Sequence, residues 1–219
     1  MLRAFLALLL CACLVISPAL AYDTELSDTA VREAYFLGQR NSEKTRAFFV
    51  AYTRHLTVPK KGPNVSEIRL LTPLAQVVQI SNQVSSGYSA QQAALDYKAR
   101  GDTILLVVHI EFTPSYGPID AEHSSKDAAG KKGLALRTED FWQDFRYGIR
   151  QKADWIEPRA IHGEADYGGP DSFGGSGLVG AWVYVEYDAQ SVASDDTDVS
   201  VFTINDQEVQ TTFDLAKLR

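Results

Sequence analysis

A change after residue 102 from a helical period to a period of two residues is the feature that most constrains the fold. In the segment "TILLVVHIEF", His109 and Glu111 point to one side. The side chains on the other side are apolar: Ile104, Leu106, Val108, Ile110 and Phe112. A period of two residues is that of a β-strand, because successive side chains point to opposite faces of a sheet. The segment is therefore predicted to be a strand with one buried face.

Further segments of the second half have the same strand character. They are "DFRYGIRQ", "IEPRAIHGEADY", "LVGAWVYVEY", "DVSVFTI" and "QEVQTTF". Asn205 and Asp206 separate the last two segments and predict a two-residue hairpin turn, because both residue types tolerate positive φ. Strands joined without an intervening helix run antiparallel. Residues 102–219 are therefore predicted to form an antiparallel β-sandwich or a curled antiparallel sheet.

The first half has a helical period instead. Residues 22–58 predict a helical hairpin, whose first helix lies in "SDTAVREAYFLGQR" with Ser27 or Asp28 as its N-cap. The second helix lies in "NSEKTRAFFVAYTRHL", carries His55 on its apolar stripe and ends before Pro59.

Residues 66–101 predict one strand and one further helix. The strand is "EIRLLTP", and the helix is "SAQQAALDYKARG", which begins after Ser89 and stops at Gly101. The segment between them, "LAQVVQI", is compatible with a helix or a strand. With the sandwich, these helices give a single α+β domain over residues 22–219, in which the helices pack on the sheet.

Residues 1–21 have the pattern of a secretory signal peptide. A short apolar run follows one arginine and ends in a small-x-small triplet, which predicts cleavage between Ala21 and Tyr22. A lipoprotein anchored at Cys13 is the alternative. Both cysteines of the chain lie inside this segment, so the exported domain is predicted to be free of disulfides and to depend on a packed core.

The charge of the chain restricts its partners. The formal net charge is −7, and its short basic pairs are isolated, whereas a nucleic-acid or anionic-membrane partner requires clustered lysine and arginine. No run outside residues 1–21 is long and apolar enough to predict a membrane span. The predicted protein is exported, acidic, and neither nucleic-acid binding nor integral to a membrane.

A glycine-rich stretch, "HGEADYGGPDSFGGSG", spans residues 162–177. It leads into the predicted strand "LVGAWVYVEY", whereas a phosphate cradle leads into a helix N-terminus. Ser176 lacks the final glycine of a G-x-S-x-G motif and the helix that a nucleophile elbow needs. The stretch is therefore interpreted as a long connection between two strands.

Acidic residues collect at the opposite end of that strand, in "DAQSVASDDTD", with Asp154 and Asp214 expected nearby. The candidate Ca²⁺ ligands are Asp188, Asp195, Asp196 and Asp198. Ca²⁺ takes oxygen ligands from flexible loops, but the spacing matches no EF-hand, so a solvated turn is the favoured interpretation. No other cofactor is indicated.

Two histidines alternate with carboxylates along their strands. His109 with Glu111, and His162 with Glu164, project from one side of their segments. If the two strands were neighbours, the four side chains could form a zinc site or an acid/base pair. An exposed polar sheet face produces the same pattern, and it is the favoured interpretation.

The leading functional prediction is a non-enzymatic binding or structural protein, with a glycan or another envelope protein as its partner. The candidate ligand-binding residues are Trp182, Tyr184, His162, Glu164, Asp166 and Asp171. Exposed aromatic rings on a sandwich face would hold a sugar, whereas buried rings would only fill the core. The alternative is a hydrolase of carbohydrate or of the cell envelope that pairs Glu164 with Asp166 or Asp171, because glycoside hydrolysis needs two carboxyl groups.

Overall fold

A computed structural model describes residues 22–84, 87–120, 135–169 and 177–219, and these residues have an α+β fold, as predicted. Its α-helices are α1 (Asp28–Gln39), α2 (Glu43–Tyr52), α3 (Pro73–Gln83) and α4 (Ala90–Arg100). Its short 3-10 helices are Phe141–Asp144, Ala189–Ser191 and Leu215–Lys217.

The strands form two main antiparallel sheets. They are β1 (Thr53–His55), β2 (Asn64–Leu71), β3 (Thr103–Glu111), β4 (Ile119–Asp120), β5 (Ala135–Leu136), β6 (Arg146–Gln151), β7 (Asp154–Ile156), β8 (Ala160–Tyr167), β9 (Leu178–Asp188), β10 (Asp196–Phe202) and β11 (Glu208–Asp214). The five-stranded sheet has the order β1-β2-β3-β9-β8, and the four-stranded sheet has the order β11-β10-β6-β7. Strands β4 and β5 pair separately.

The inner faces of the two sheets share one apolar core, which makes them a sandwich. The predicted alternation in β3 is confirmed, because its four apolar side chains from Ile104 to Ile110 on that face have no exposed surface. Ile149 and Phe213 are the corresponding buried side chains of the four-stranded sheet. Burial of each such side chain is worth about 1.5–3 kcal/mol, so this contact is the main source of stability.

The helices cover part of the opposite face of the five-stranded sheet, which we call the outer face. Helix α3 is attached to it by Gln76, whose side-chain amide donates to the main-chain carbonyls of Leu71 (3.2 Å) and Thr103 (2.7 Å). Helices α1 and α4 pack on α3 in a second apolar cluster. That cluster consists of Leu26, Val31, Ala34, Leu74, Val77, Val78, Ala93 and Tyr97.

The predicted helical hairpin is present in chain order, but α1 has a different main partner. Its buried face meets α3, and Gly38 is the point of closest approach. Helix α2 adds only the half-buried Phe48 and Phe49 to that cluster. A sequence pattern identifies an apolar face but not the element that covers it.

Capping residues explain why "LAQVVQI" is helical. The Thr72 hydroxyl accepts from the main-chain N–H of Ala75, and Pro73 occupies the first helical turn, where no N–H is required. The predicted caps are confirmed: Ser27 and Ser89 accept hydrogen bonds at the starts of α1 and α4, and Gly101 ends α4 with φ of 81°.

Two predictions about the first half are wrong. Helix α2 ends at Tyr52, so His55 lies in β1, with a side chain that is 76% exposed, and not on a helical stripe. The reason is tertiary, because Thr53–His55 pairs with β2 and extends the sheet. The sandwich is also not confined to residues after 102, since β1 and β2 belong to its larger sheet.

Two details of the second half also differ from the prediction. The segment "IEPRAIHGEADY" is not one strand: Pro158 separates β7, in the four-stranded sheet, from β8, in the five-stranded sheet. Proline cannot donate to a strand ladder, so the chain changes sheets there. The last hairpin has a three-residue loop, because Thr203 still bonds Gln207 and only Asp206 of the loop has positive φ (56°).

The predicted signal segment, with both cysteines, lies outside the described residues, as do Asp171 and Ser176. Within the described ranges, no helix combines the length and apolar character needed to cross a membrane.

We predict that Gly38→Ala destabilises the protein although alanine is the better helix former. A Cβ at residue 38 would lie 2.4 Å from the Val78 carbonyl oxygen and 2.7 Å from the Ser81 Cβ, so α1 and α3 must separate. Overpacking of this kind costs about 1–3 kcal/mol, which exceeds the gain in helix propensity of about 1 kcal/mol.

The measurement is thermal unfolding, with Gly117→Ala as the control, since the nearest atom to its added Cβ is 3.7 Å away. A melting temperature for Gly38→Ala equal to that of the unaltered chain would contradict the packing of α1 on α3.

Candidate functional site

The register of the five-stranded sheet collects polar and aromatic side chains on the outer face. Trp182 of β9 pairs with His109 of β3 on one side and with Glu164 of β8 on the other. Tyr184, the next outward side chain of β9, pairs with His162 of β8. The sequence-predicted residues of β8 and β9 are therefore neighbours on one surface.

Two pairs of rings stack across β9. The rings of His109 and Trp182 are 3.9 Å apart and inclined by 4°, and those of His162 and Tyr184 are 4.8 Å apart and inclined by 12°. Residues directly opposite on adjacent antiparallel strands lie close enough for such contact. Trp182 and Tyr184 are both half-buried on the outer face, and a histidine ring is stacked on each of them.

Charged side chains continue this surface on β1 and β2. Arg69 forms an ion pair with Glu67 at 2.5 Å, and its guanidinium carbon lies 5.2 Å from the centre of a Trp182 ring. His55 Nδ1 lies 3.4 Å from the other Glu67 oxygen. Both signs of charge are therefore present beside the aromatic rings.

His109 connects three strands through its two ring nitrogens. Its Nε2 lies 3.0 Å from Asp166 Oδ2 on β8, and its Nδ1 lies 3.0 Å from Ser66 Oγ on β2. The ladder between β2 and β3 skips Ser66, because the register shifts between Val65 and Glu67. Such a bulge re-aims a side chain, and here it turns the serine hydroxyl toward the histidine.

The predicted set of two histidines and two glutamates does not form. The side chain of Trp182 lies between His109 and Glu164, and Tyr184 is the partner of His162, so the two histidine–glutamate pairs do not come together. Glu111 instead accepts a hydrogen bond from Asn64 at 2.9 Å. In the part of the chain that the structure describes, no three or more His, Cys, Asp or Glu side chains form a group that could hold a metal ion.

A groove runs over the outer face on both sides of α3. One cleft, of about 360 Å³, lies between α2, β1 and α3, and includes Arg46, Phe49 and Arg69 in its lining. The other, of about 260 Å³, lies between α3, the end of α4 and β9, and includes Arg100 and Tyr184. Gln79 and Gln83 of α3 line both clefts, so we treat the clefts as one groove.

Burial changes the proton affinity of groups at this groove. Burial raises the pKa of the Tyr184 hydroxyl, and the nearby Glu164 carboxylate raises it further against the opposing effect of Arg69. Burial lowers the pKa of Arg100, whose guanidinium donates to the Gln76 side-chain oxygen at 3.2 Å. The tyrosine hydroxyl is therefore neutral, and both it and the arginine can donate hydrogen bonds.

Three of the four candidate Ca²⁺ ligands, Asp188, Asp195 and Asp198, have side chains engaged with protein groups. The main-chain N–H of Asp196 and then the Lys152 ammonium hold the pKa of Asp195 below its usual value. The hydroxyl of Thr212 and then the Arg150 guanidinium do the same for Asp198. Asp188 caps the 3-10 helix Ala189–Ser191. Asp196 pairs with Asp214 across β10 and β11.

The glycine-rich stretch joins β8 to its antiparallel neighbour β9, as its interpretation as a connection requires. The main-chain N–H of Gly168 donates to the carbonyl of Gly177 at 2.9 Å, so these residues close the hairpin. Glu164 and Asp166 both belong to β8 on the outer face. The third proposed carboxylate, Asp171, lies outside the described residues.

Sequence reasoning did not identify Ser66, Gln79, Gln83 or Arg100. Gln79 lies in the segment "LAQVVQI", which is compatible with a helix or a strand, and Gln83 lies three residues beyond that segment. Arg100 has the pattern of an ordinary basic residue at a helix C-terminus. Nothing in the sequence indicates the bulge at Ser66. Comparison of the chain with protein-family models, with curated proteins and with solved structures finds no match.

We predict that Ca²⁺ does not stabilise the protein. Lys152 and Arg150 already lie 3.4 Å and 3.2 Å from the carboxylates of Asp195 and Asp198. A ligand that binds only the folded state raises the melting temperature, so the melting temperature should be the same in millimolar CaCl₂ and in EDTA. A rise in CaCl₂ that disappears in Asp195→Asn would show that the acidic turn binds the ion.

Proposed function

We propose that this is an exported protein that binds a neutral glycan in the groove beside α3. The observation that carries the proposal is the mixed character of the groove, in which hydrogen-bond donors and acceptors surround an apolar floor. Sugar hydroxyl groups donate and accept at once, and sugar rings also have apolar C–H faces. A lining with all three kinds of group suits them.

The donors and acceptors come from different elements. Side-chain amides of Gln79, Asn82 and Gln83 offer both functions along α3. Arg69 donates from β2, and Glu186 accepts from β9. A sugar chain along the groove would therefore meet hydrogen-bonding groups on both of its sides.

The floor of the groove is apolar. Phe49 lines one cleft, and Leu105 lines the other together with Tyr184, whose ring is stacked on His162. Such surfaces cover the C–H face of a sugar, and the tyrosine hydroxyl adds a donor. The acidic net charge of −7 disfavours an anionic polymer, so a neutral glycan is the better match.

The alternative, hydrolysis by two carboxylates of β8, has weaker support. Glu164 and Asp166 project from the same face of the strand, but one oxygen of Asp166 is bound to His109. A retaining or inverting glycosidase needs one carboxyl group to donate a proton and the other to act as nucleophile or base. Asp166 is better placed to orient the histidine.

Export is part of the proposal. Tyr22, the residue after the predicted cleavage site, is 4% exposed, and its hydroxyl donates to the carbonyl of Ala189 at 3.1 Å. Burial raises the pKa of this hydroxyl to about 12. Cleavage before Tyr22 would leave this buried contact intact.

We expect the purified protein to bind neutral oligosaccharides on a glycan array that also carries acidic ones. Isothermal titration with the strongest neutral ligand should then show weaker binding by Gln79→Ala combined with Gln83→Ala. Each lost hydrogen bond is worth about 0.5–1.5 kcal/mol, so the double variant should lose affinity by a factor of about 5 to 150.

Gln91→Ala is the matched control, because Gln91 is an exposed glutamine on α4 away from the groove. It should bind as the unaltered protein does. The proposal is refuted if no neutral glycan on the array binds, or if the double variant keeps full affinity. Capture of an envelope protein in place of a glycan would favour an envelope protein as the partner.

We also expect expression of the full chain in a bacterium to yield a periplasmic or secreted product that begins at Tyr22. The intact mass and the N-terminal sequence of that product test this expectation. A product that keeps residues 1–21, or a mass that shows lipid attached at Cys13, would contradict it.

A further inference from the structure

We propose that Ser66, His109 and Asp166 form a nucleophile, base and orienting acid that hydrolyse a neutral carboxylic ester. The two hydrogen bonds of the set are 3.0 Å each, from His109 Nδ1 to Ser66 Oγ and from His109 Nε2 to Asp166 Oδ2. A serine, a histidine and a carboxylate in this order are the parts that nucleophilic acyl transfer needs.

The carboxylate determines which ring nitrogen is the base. Asp166 is an acceptor, so it holds the ring proton on Nε2 and leaves the lone pair of Nδ1 facing the Ser66 hydroxyl. Either nitrogen of an imidazole can act as the base when the other is held protonated. The arrangement therefore activates the serine with the nitrogen nearer the main chain.

Neighbouring groups hold the histidine in place. The Trp182 ring covers one face of the imidazole at 3.9 Å, and the His109 side chain is only 13% exposed. Glu111 is the competing carboxylate, but its oxygen is 3.7 Å from Nδ1, and its other oxygen accepts from Asn64 at 2.9 Å. Ser66 is thus the closer partner of Nδ1.

The bulge makes the serine available. Ser66 is half-buried, whereas Val65 beside it is 2% exposed in the core. In an unbulged strand Ser66 and Glu67 would point to opposite faces, whereas the one-residue shift between Val65 and Glu67 lets both lie on the polar side with His109. Bulges of this kind occur beside active sites.

The proposed reaction needs water as its only co-substrate. The Ser66 oxygen bonds to the ester carbonyl carbon while its proton moves to His109 Nδ1. The carbon–alkoxy bond then breaks, and the alcohol leaves with that proton, so the acyl group stays on Ser66. Water next gives a proton to Nδ1 and attacks the acyl carbon; the serine regains its proton, and the carboxylic acid is released.

The charges around Ser66 define the substrate class. Glu67 follows the serine in β2, and a Glu111 oxygen lies 3.7 Å from His109 Nδ1, so anionic substrates are repelled. The nearest cation of β2, Arg69, is already ion-paired with Glu67 at 2.5 Å. A small neutral acyl ester is therefore the expected substrate class. Glu67 and Arg69 also line the groove, so the alcohol part of the ester would be a glycan hydroxyl. Only this last assignment rests on the proposed function.

The test uses p-nitrophenyl acetate, together with an alkyl fluorophosphonate that labels activated serines. We expect hydrolysis with accumulation of an acetyl group on Ser66, and label on Ser66 by peptide mass spectrometry. Ser66→Ala should lower kcat/KM by about 100-fold or more and abolish the label. Ser191→Ala, at an exposed serine of a surface 3-10 helix, should change neither.

Asp166→Asn tests the orienting role. Its amide group would favour the opposite tautomer and place the proton on Nδ1, so kcat and labelling should fall with KM unchanged, while the melting temperature stays the same. Activity that survives Ser66→Ala, or label on another residue, would overturn the proposal. Glycan binding is measured separately on the array, so failure of one proposal leaves the other distinguishable.

Discussion

Antiparallel pairing of β3 with β9 is the constraint on which the rest of the structure depends. The register runs from Thr103 opposite Asp188 to Glu111 opposite Gly180. Because side chains alternate, this one register sends Ile104 and its equivalents to the core and His109 to the outer face opposite Trp182. The strands meet so closely at Gly180 that a Cβ there would lie 2.2 Å from the Ile110 carbonyl oxygen. A shift of one residue would exchange the two faces of the strand and bury the polar side chains of the outer face.

Coverage of the outer face by α3 determines where a ligand could bind. The helix is fixed at one end of the sheet through Thr72 and Gln76, and its far end carries Gln79 and Gln83 over the strands. Full coverage would have produced another apolar core, and no coverage would have left a flat polar sheet. Partial coverage produces clefts whose walls are polar and whose floor is apolar, which is the combination that a neutral polymer requires.

The surroundings of His109 illustrate how a sheet brings together side chains from distant parts of a chain. Ser66, His109 and Asp166 lie on three different strands, and β9, which separates β3 from β8, contributes Trp182 as the ring that covers the histidine. The same surface holds the groove through Glu67 and Arg69. The groove and the Ser66–His109–Asp166 set therefore lie on adjoining parts of one face, and different residues form each of them.

Local pattern in the sequence determined the fold class, the helix caps at Ser27 and Ser89, and the buried face of β3, because each of these depends on residues close together in the chain. Tertiary structure decided the rest. Pairing with β2 converted the end of the predicted second helix into a strand, and strand order kept the His109 and His162 pairs apart. Only a register between distant strands brings Ser66 to His109 and Asp166. No local pattern specifies such a register, because its energy comes from contacts that exist only once the sheets have packed.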